Sequence, residues 1–91
     1  MTKIERKAAK LGKNAAVTDL HHLALTEKCY GSHEERVAAC EWSMRESLPS
    51  AELVGALGYE AAEKLFGVTR DSKEWDSAVH AYDAGYRDGL R

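Results

Sequence analysis

The sequence predicts an all-α protein, a compact bundle of four or five short helices, and three observations carry that prediction. Proline occurs once, at Pro49, and Ala, Leu, Glu and Lys outnumber the β-branched residues. Apolar residues recur at three- and four-residue steps, and no stretch sustains the period-two alternation of a half-buried strand. With 44% hydrophobic and 31% charged residues, the 91-residue chain has the composition of a folded domain. A single domain spanning 1–91 is expected, and a chain of this size has a thin core. With its own Met1 and no visible tag, the chain reads as a complete small gene product.

The first helix is expected from about Thr2 to Leu11, with Ile4, Ala8 and Leu11 on its apolar side and Lys3, Arg6, Lys7 and Lys10 on the other. Gly12 stops or weakens it. A second helix fits Asn14 to about Tyr30, with Asn14 as N-cap, Ala16, Val17, Leu20, Leu23 and Ala24 as its buried stripe and Gly31 as its stop. The third is the best announced: Ser32 and Glu35 form a capping box, and Val37, Cys40, Met44 and Leu48 repeat behind it. It ends before Pro49, which disfavours the α region for its predecessor.

Ser50 caps a fourth helical region reaching Phe66, with Leu53, Val54, Leu57, Ala61 and Leu65 on its apolar side; Gly55 and Gly58 are candidate breaks, and Gly67 ends it. Asp71 with Glu74 reads as another capping box opening the last helix, which continues towards Gly89. There Trp75, Val79, Tyr82, Tyr86 and Leu90 form one stripe, and Ser77, Ala81, Gly85 and Gly89 form a neighbouring row of small residues. A helical glycine costs about 1 kcal/mol relative to alanine. Gly85 is therefore expected to mark a close helix contact, and Gly89 to extend that contact or end the helix.

Net charge is −2, but residues 1–13 form a basic leading helix of charge +4, and residues 14–91 form an acidic body of charge −6. No apolar run approaches the ~20 residues that cross a bilayer, and MTKIERKAAKLGK lacks the hydrophobic stretch of a secretion signal. The expectation is a cytoplasmic protein with no membrane partner, whose Cys29 and Cys40 are reduced thiols.

Chemical motifs are sparse. His21, His22, Cys29, His33 and Cys40 supply zinc-type ligands without zinc-type spacing, so no metal or other cofactor is expected. His80 has Asp76, Asp83 and Ser77 near it in sequence, but one helix face does not make a catalytic pocket; with no phosphate loop or nucleophile elbow, the chain reads as a non-enzyme. Residues 60–75, EAAEKLFGVTRDSKEW, resemble the helix-turn-helix of bacterial and phage regulators around Phe66, Gly67 and Val68. That resemblance implies DNA binding by the helix after the turn. The pattern departs at Glu63 and Lys73, which place charge where the motif packs its two helices, and residues 50–80 are net acidic.

Trp42 falls nearly opposite the Val37, Cys40, Met44 stripe, between Glu35 and Glu46. Together with Tyr82, Gly85, Tyr86, Asp76 and Asp83 it forms the expected partner-binding set, because aromatic residues dominate interface energetics. Lys3, Arg6, Lys7 and Lys10 are the candidate contacts to phosphate or to an acidic partner. The function expected is protein-protein binding, in its concrete version a phage or mobile-element inhibitor of a host nucleic-acid-processing or defence complex, of anti-CRISPR or anti-restriction type. A small DNA-binding regulator and a self-associating protein, for example a homodimer, are the rivals.

Overall fold

The computed structural model describes residues 1–26 and 31–91. Among them are five helices and no strand: α1 (Lys3–Thr26), α2 (His33–Glu46), α3 (Pro49–Leu57), α4 (Tyr59–Phe66) and α5 (Lys73–Gly89). None is long and apolar enough to cross a membrane. Cys29 and the expected helix end near Tyr30 lie outside the described residues.

α1 begins with a reciprocal capping box in which the Glu5 N–H donates to the Thr2 hydroxyl at 3.1 Å and the Thr2 N–H donates to the Glu5 carboxylate at 2.9 Å. Those bonds hold the Glu5 carboxyl below its usual range. The helix then runs without interruption through Gly12 and Asn14, so the two expected N-terminal helices are one. Gly12 persists inside it because α5 lies against it. A β-carbon there would fall into the Tyr82 carbonyl, 2.9 Å from the Tyr86 nitrogen.

The reciprocal half of that seam lies on α5. A β-carbon on Gly85 would strike the Ala9 backbone, and one on Gly89 would lie 2.7 Å from the Lys13 carbonyl oxygen and 2.8 Å from the Ala16 methyl. Positions 9 and 85, then 13 and 89, meet in ascending order on both helices, so α1 and α5 run parallel. Small residues on both helices, Ala8, Gly12 and Ala16 against Ala81, Gly85 and Gly89, bring the two backbones into contact. The local cost of helical glycine is thus offset by packing between two helices of this chain.

Two apolar clusters flank the seam. One gathers Ala8, Phe66, Ala78, Ala81 and Tyr82; the other joins Ala16, Leu20, Cys40, Tyr86 and Leu90, with Leu23, Val37 and Met44 against it. Phe66, 1% exposed, stands edge-on to both Trp75 and Tyr82, at ring separations of 5.6 and 5.7 Å.

The region after Pro49 corrects the sequence reading. Gly58, at φ +87°, splits it into α3 and α4 and resets the helical phase, so Ala62 and Phe66 face the core while Leu57 and Ala61 are exposed. Val17 and Ala24 are also exposed, because α2 covers only one side of the second half of α1. At α2, Ser32 caps as expected, its hydroxyl accepting from the Glu35 N–H at 3.1 Å. The Asp71–Glu74 box does not form: α5 starts at Lys73 after an N-cap Ser72 whose hydroxyl donates to the Thr69 carbonyl.

The start of α3 is held from a distant part of the chain. The buried Asp83 carboxylate accepts from the Ser50 N–H and from the Ser50 hydroxyl, both at 2.8 Å. A carboxylate on the first turn satisfies an otherwise orphaned N–H and complements the helix dipole. This clamp fixes α3 to α5.

Candidate binding surface and cleft

Of the partner-binding residues expected from sequence, Trp42 and Asp76 are on the surface. Tyr82, Gly85 and Tyr86 are spent on internal packing, and Asp83 is buried on Ser50, which corrects their assignment to a partner surface. The same periodicity that marked them as a stripe is the mark of a core face, and α1 occupies it. Lys3, Arg6, Lys7 and Lys10 are all exposed along α1, as the helical wheel required. The Lys7 ammonium also lies near Gly67, 3.9 Å from where its β-carbon would be, beside the C-terminus of α4, whose dipole end favours a cation.

Trp42 is 62% exposed. Its helix turns Cys40 into the core and leaves Glu41, Trp42, Arg45 and Glu46 outward, so the indole stands among carboxylates with one guanidinium beside it. A shallow recess lies against it, lined by Ala38, Glu41, Trp42 and Arg45. Large apolar side chains left in water cost solvation free energy, which a partner that covers them recovers.

A second aromatic group forms between α4 and α5. Tyr59, 49% exposed, is tilted against Trp75 at 6.4 Å and carries the Arg70 guanidinium 4.4 Å above its ring. The groove beside it includes Val54 and Val79.

The turn between α4 and α5 is longer than the roughly three or four residues of a helix-turn-helix. Six residues separate α4 from α5, and Glu63, one of the departures from the pattern, uses its carboxylate to accept the Arg70 N–H at 2.9 Å and so shapes that loop. The helix that would read DNA is instead a central packing element, with Ala78, Ala81, Tyr82, Gly85, Tyr86 and Gly89 buried. His80 and Ser77 are exposed whereas Asp83 is buried against Ser50, so His80, Ser77 and Asp83 do not converge on one pocket. Among the described residues no group of three or more His, Cys, Asp or Glu is placed to hold a metal ion.

One recess was invisible in the sequence. A cleft of about 340 Å³ opens where α1, α2, α3 and α5 meet. Its apolar floor is Leu23, Ala39, the Cys40 thiol and the Tyr86 ring, and its polar rim is Asp19, His22, Ser43 and Glu52. The Tyr86 hydroxyl donates to Asp19 at 2.5 Å. Burial, then that bond and the Asp19 charge, push the Tyr86 phenol far above its usual range. Burial also raises the Cys40 thiol, opposed by a hydrogen bond with Tyr86. A thiol so held behaves as a small hydrophobe rather than a nucleophile.

Comparison with protein-family models, with curated proteins and with solved structures finds no match to this chain, so its functional reading rests on its own residues.

Proposed function

We propose that this chain is a non-enzymatic protein that works by binding another protein through the outward face of α2, with Trp42 as the anchor. The observation that carries the reading is the exposure of that indole, at 62%, on a helix whose opposite side is fixed in the core. Truncating an anchoring Trp typically costs ~2 kcal/mol or more of binding free energy, a loss of about 30-fold or more in affinity. Glu41 and Glu46 near it on the same helix, with Arg45 between them, suit a partner that brings an apolar notch with a lysine or arginine at its rim.

The narrower form of the proposal is the inhibitor of a nucleic-acid-processing or defence complex, carried by phage or a mobile element. Such complexes hold phosphates in cationic grooves, and an acidic body of charge −6 suits occupation of one. Its support is charge alone.

The test is capture from cell lysate at low and moderate salt, with and without nuclease, comparing the tagged protein with Trp42→Ala and with a Glu41→Lys, Glu46→Lys pair. A nuclease-resistant partner with a basic surface, lost with either variant while helicity is unchanged, supports the proposal. Capture that is indifferent to both variants refutes it. Recovery of DNA alone, abolished by neutralising Lys3, Lys7 and Lys10, would transfer the function to the basic ridge of α1.

A further inference from the structure

We propose that the cleft between α1, α2, α3 and α5 binds a small organic cation with an apolar body, an arylalkylamine or alkylamine by chemical class. The site is separate from the Trp42 face, and its lining comes from four helices rather than from one charged run. At about 340 Å³ it lies at the lower end of small-molecule sites.

Asp19 and Glu52 are the carboxylates at the rim, His22 stands beside them, and among the described residues neither lysine nor arginine lines the cleft. The bond from Tyr86 orients the Asp19 carboxylate. A carboxylate can accept about four hydrogen bonds, so that bond does not exhaust it. Burial is the main cause of the raised Cys40 thiol and Tyr86 phenol, and the Asp19 charge adds to it at both, so that charge is felt at the floor of the cleft. Carboxylates over low-dielectric walls focus a negative potential, and an ammonium group answers it. The floor of Leu23, Ala39 and the Tyr86 ring suits a hydrocarbon or aromatic body, whose burial adds what an exposed ion pair alone does not supply.

The experiment is a titration of the full chain followed by ¹H–¹⁵N correlation spectra, with 2-phenylethylamine as the probe, 2-phenylethanol as its neutral isostere and Mg²⁺ as a cation without an apolar body. Expected are saturable shifts of amides at positions 19–23, 39–43, 52 and 86, with affinity reduced about 5-fold by Asp19→Asn and by Glu52→Gln, the worth of one exposed charge pair. Glu74→Gln, on the exposed start of α5, leaves the affinity unchanged. Glu52→Gln alters an exposed side chain and so keeps the test decisive if Asp19→Asn disturbs the fold. Equal shifts with 2-phenylethanol, shifts scattered over the acidic surface, competition by Mg²⁺ alone, or unchanged affinity in Glu52→Gln would each overturn the proposal.

Discussion

Replacing Gly85 by alanine is expected to destabilise this protein, against the direction that helix propensity gives. In an isolated helix the change gains about 1 kcal/mol. In the α1–α5 seam the added methyl meets backbone: it would lie 2.7 Å from the Ala9 carbonyl carbon and 2.8 Å from the Ala9 α-carbon, where ordinary carbon contacts are ~3.5–4.0 Å. No side chain can rotate out of the way, so the helices must part by roughly 1 Å, loosening the neighbouring contacts at Ala8, Ala16 and Ala81. Overpacking of this kind costs ~1–3 kcal/mol, and a backbone obstacle belongs at the upper end. The net loss is then ~1–2 kcal/mol, a fall of ~4–16 °C in Tm for a domain of this size. Gly55→Ala is the internal control. It lies on α3 with nothing within 4 Å of its would-be β-carbon, and the same substitution there should raise stability by ~0.5–1 kcal/mol. Thermal and urea unfolding followed by circular dichroism read both. If Gly85→Ala raises Tm as Gly55→Ala does, the close seam does not exist as described.

Further expectations follow from other parts of the fold. Gly12→Ala should cost about as much as Gly85→Ala, and the pair should cost less than the sum, because the second methyl enters a seam already opened; a double-mutant cycle in urea measures the difference. Asp83→Ala leaves the Ser50 N–H buried without its acceptor and should cost ~1–3 kcal/mol, whereas Ser50→Ala removes one of the two bonds and should cost less. Phe66→Ala empties the middle of the apolar cluster around Ala8 and Tyr82 and should cost ~3–5 kcal/mol, read by the same denaturation. Tyr82 and Tyr86 have phenols raised in the folded state, so above pH ~10 the unfolded chain loses protons that the native one retains. Stability is therefore complete below that pH and falls as pH rises. An absorbance titration should show both phenols ionising together with loss of helix, and their smooth ionisation in the folded protein would refute the burial argument.

Local signals were read well where local chemistry decides the outcome. The Ser32–Glu35 pair marks the start of α2: the Ser32 hydroxyl accepts from the first-turn Glu35 N–H and donates to the Glu35 carboxylate. Thr2 and Glu5 bear the same signature, and the sequence reading passed over it. Asp71 and Glu74 bear it too, yet Ser72 takes the N-cap and α5 begins a residue later than that box requires. Glycines were the ambiguous residues. Gly12 reads as a break until α5 is known to lie against it, and Gly58 reads as one of two breaks until its positive φ is known. That single turn decided which side of α4 is buried: one continuous helix would turn Phe66 away from the Leu53, Leu57, Leu65 side, and the reset phase turns it into the core. For the candidate site, Trp42 was legible because a helical wheel places it opposite Cys40. The cleft was not, since Asp19 and Tyr86 meet across 67 residues and no spacing rule relates them.

The proposed function places Trp42 against a protein partner. Its most direct test is photo-crosslinking in the cell from a benzophenone amino acid at position 42, with the same group at position 84, an exposed site on α5, as reference. One dominant cross-linked protein is expected from position 42 and little from 84, with the linked peptide rich in lysine or arginine. Equal yields from both positions, or cross-links from position 42 only to further copies of this chain, would contradict it.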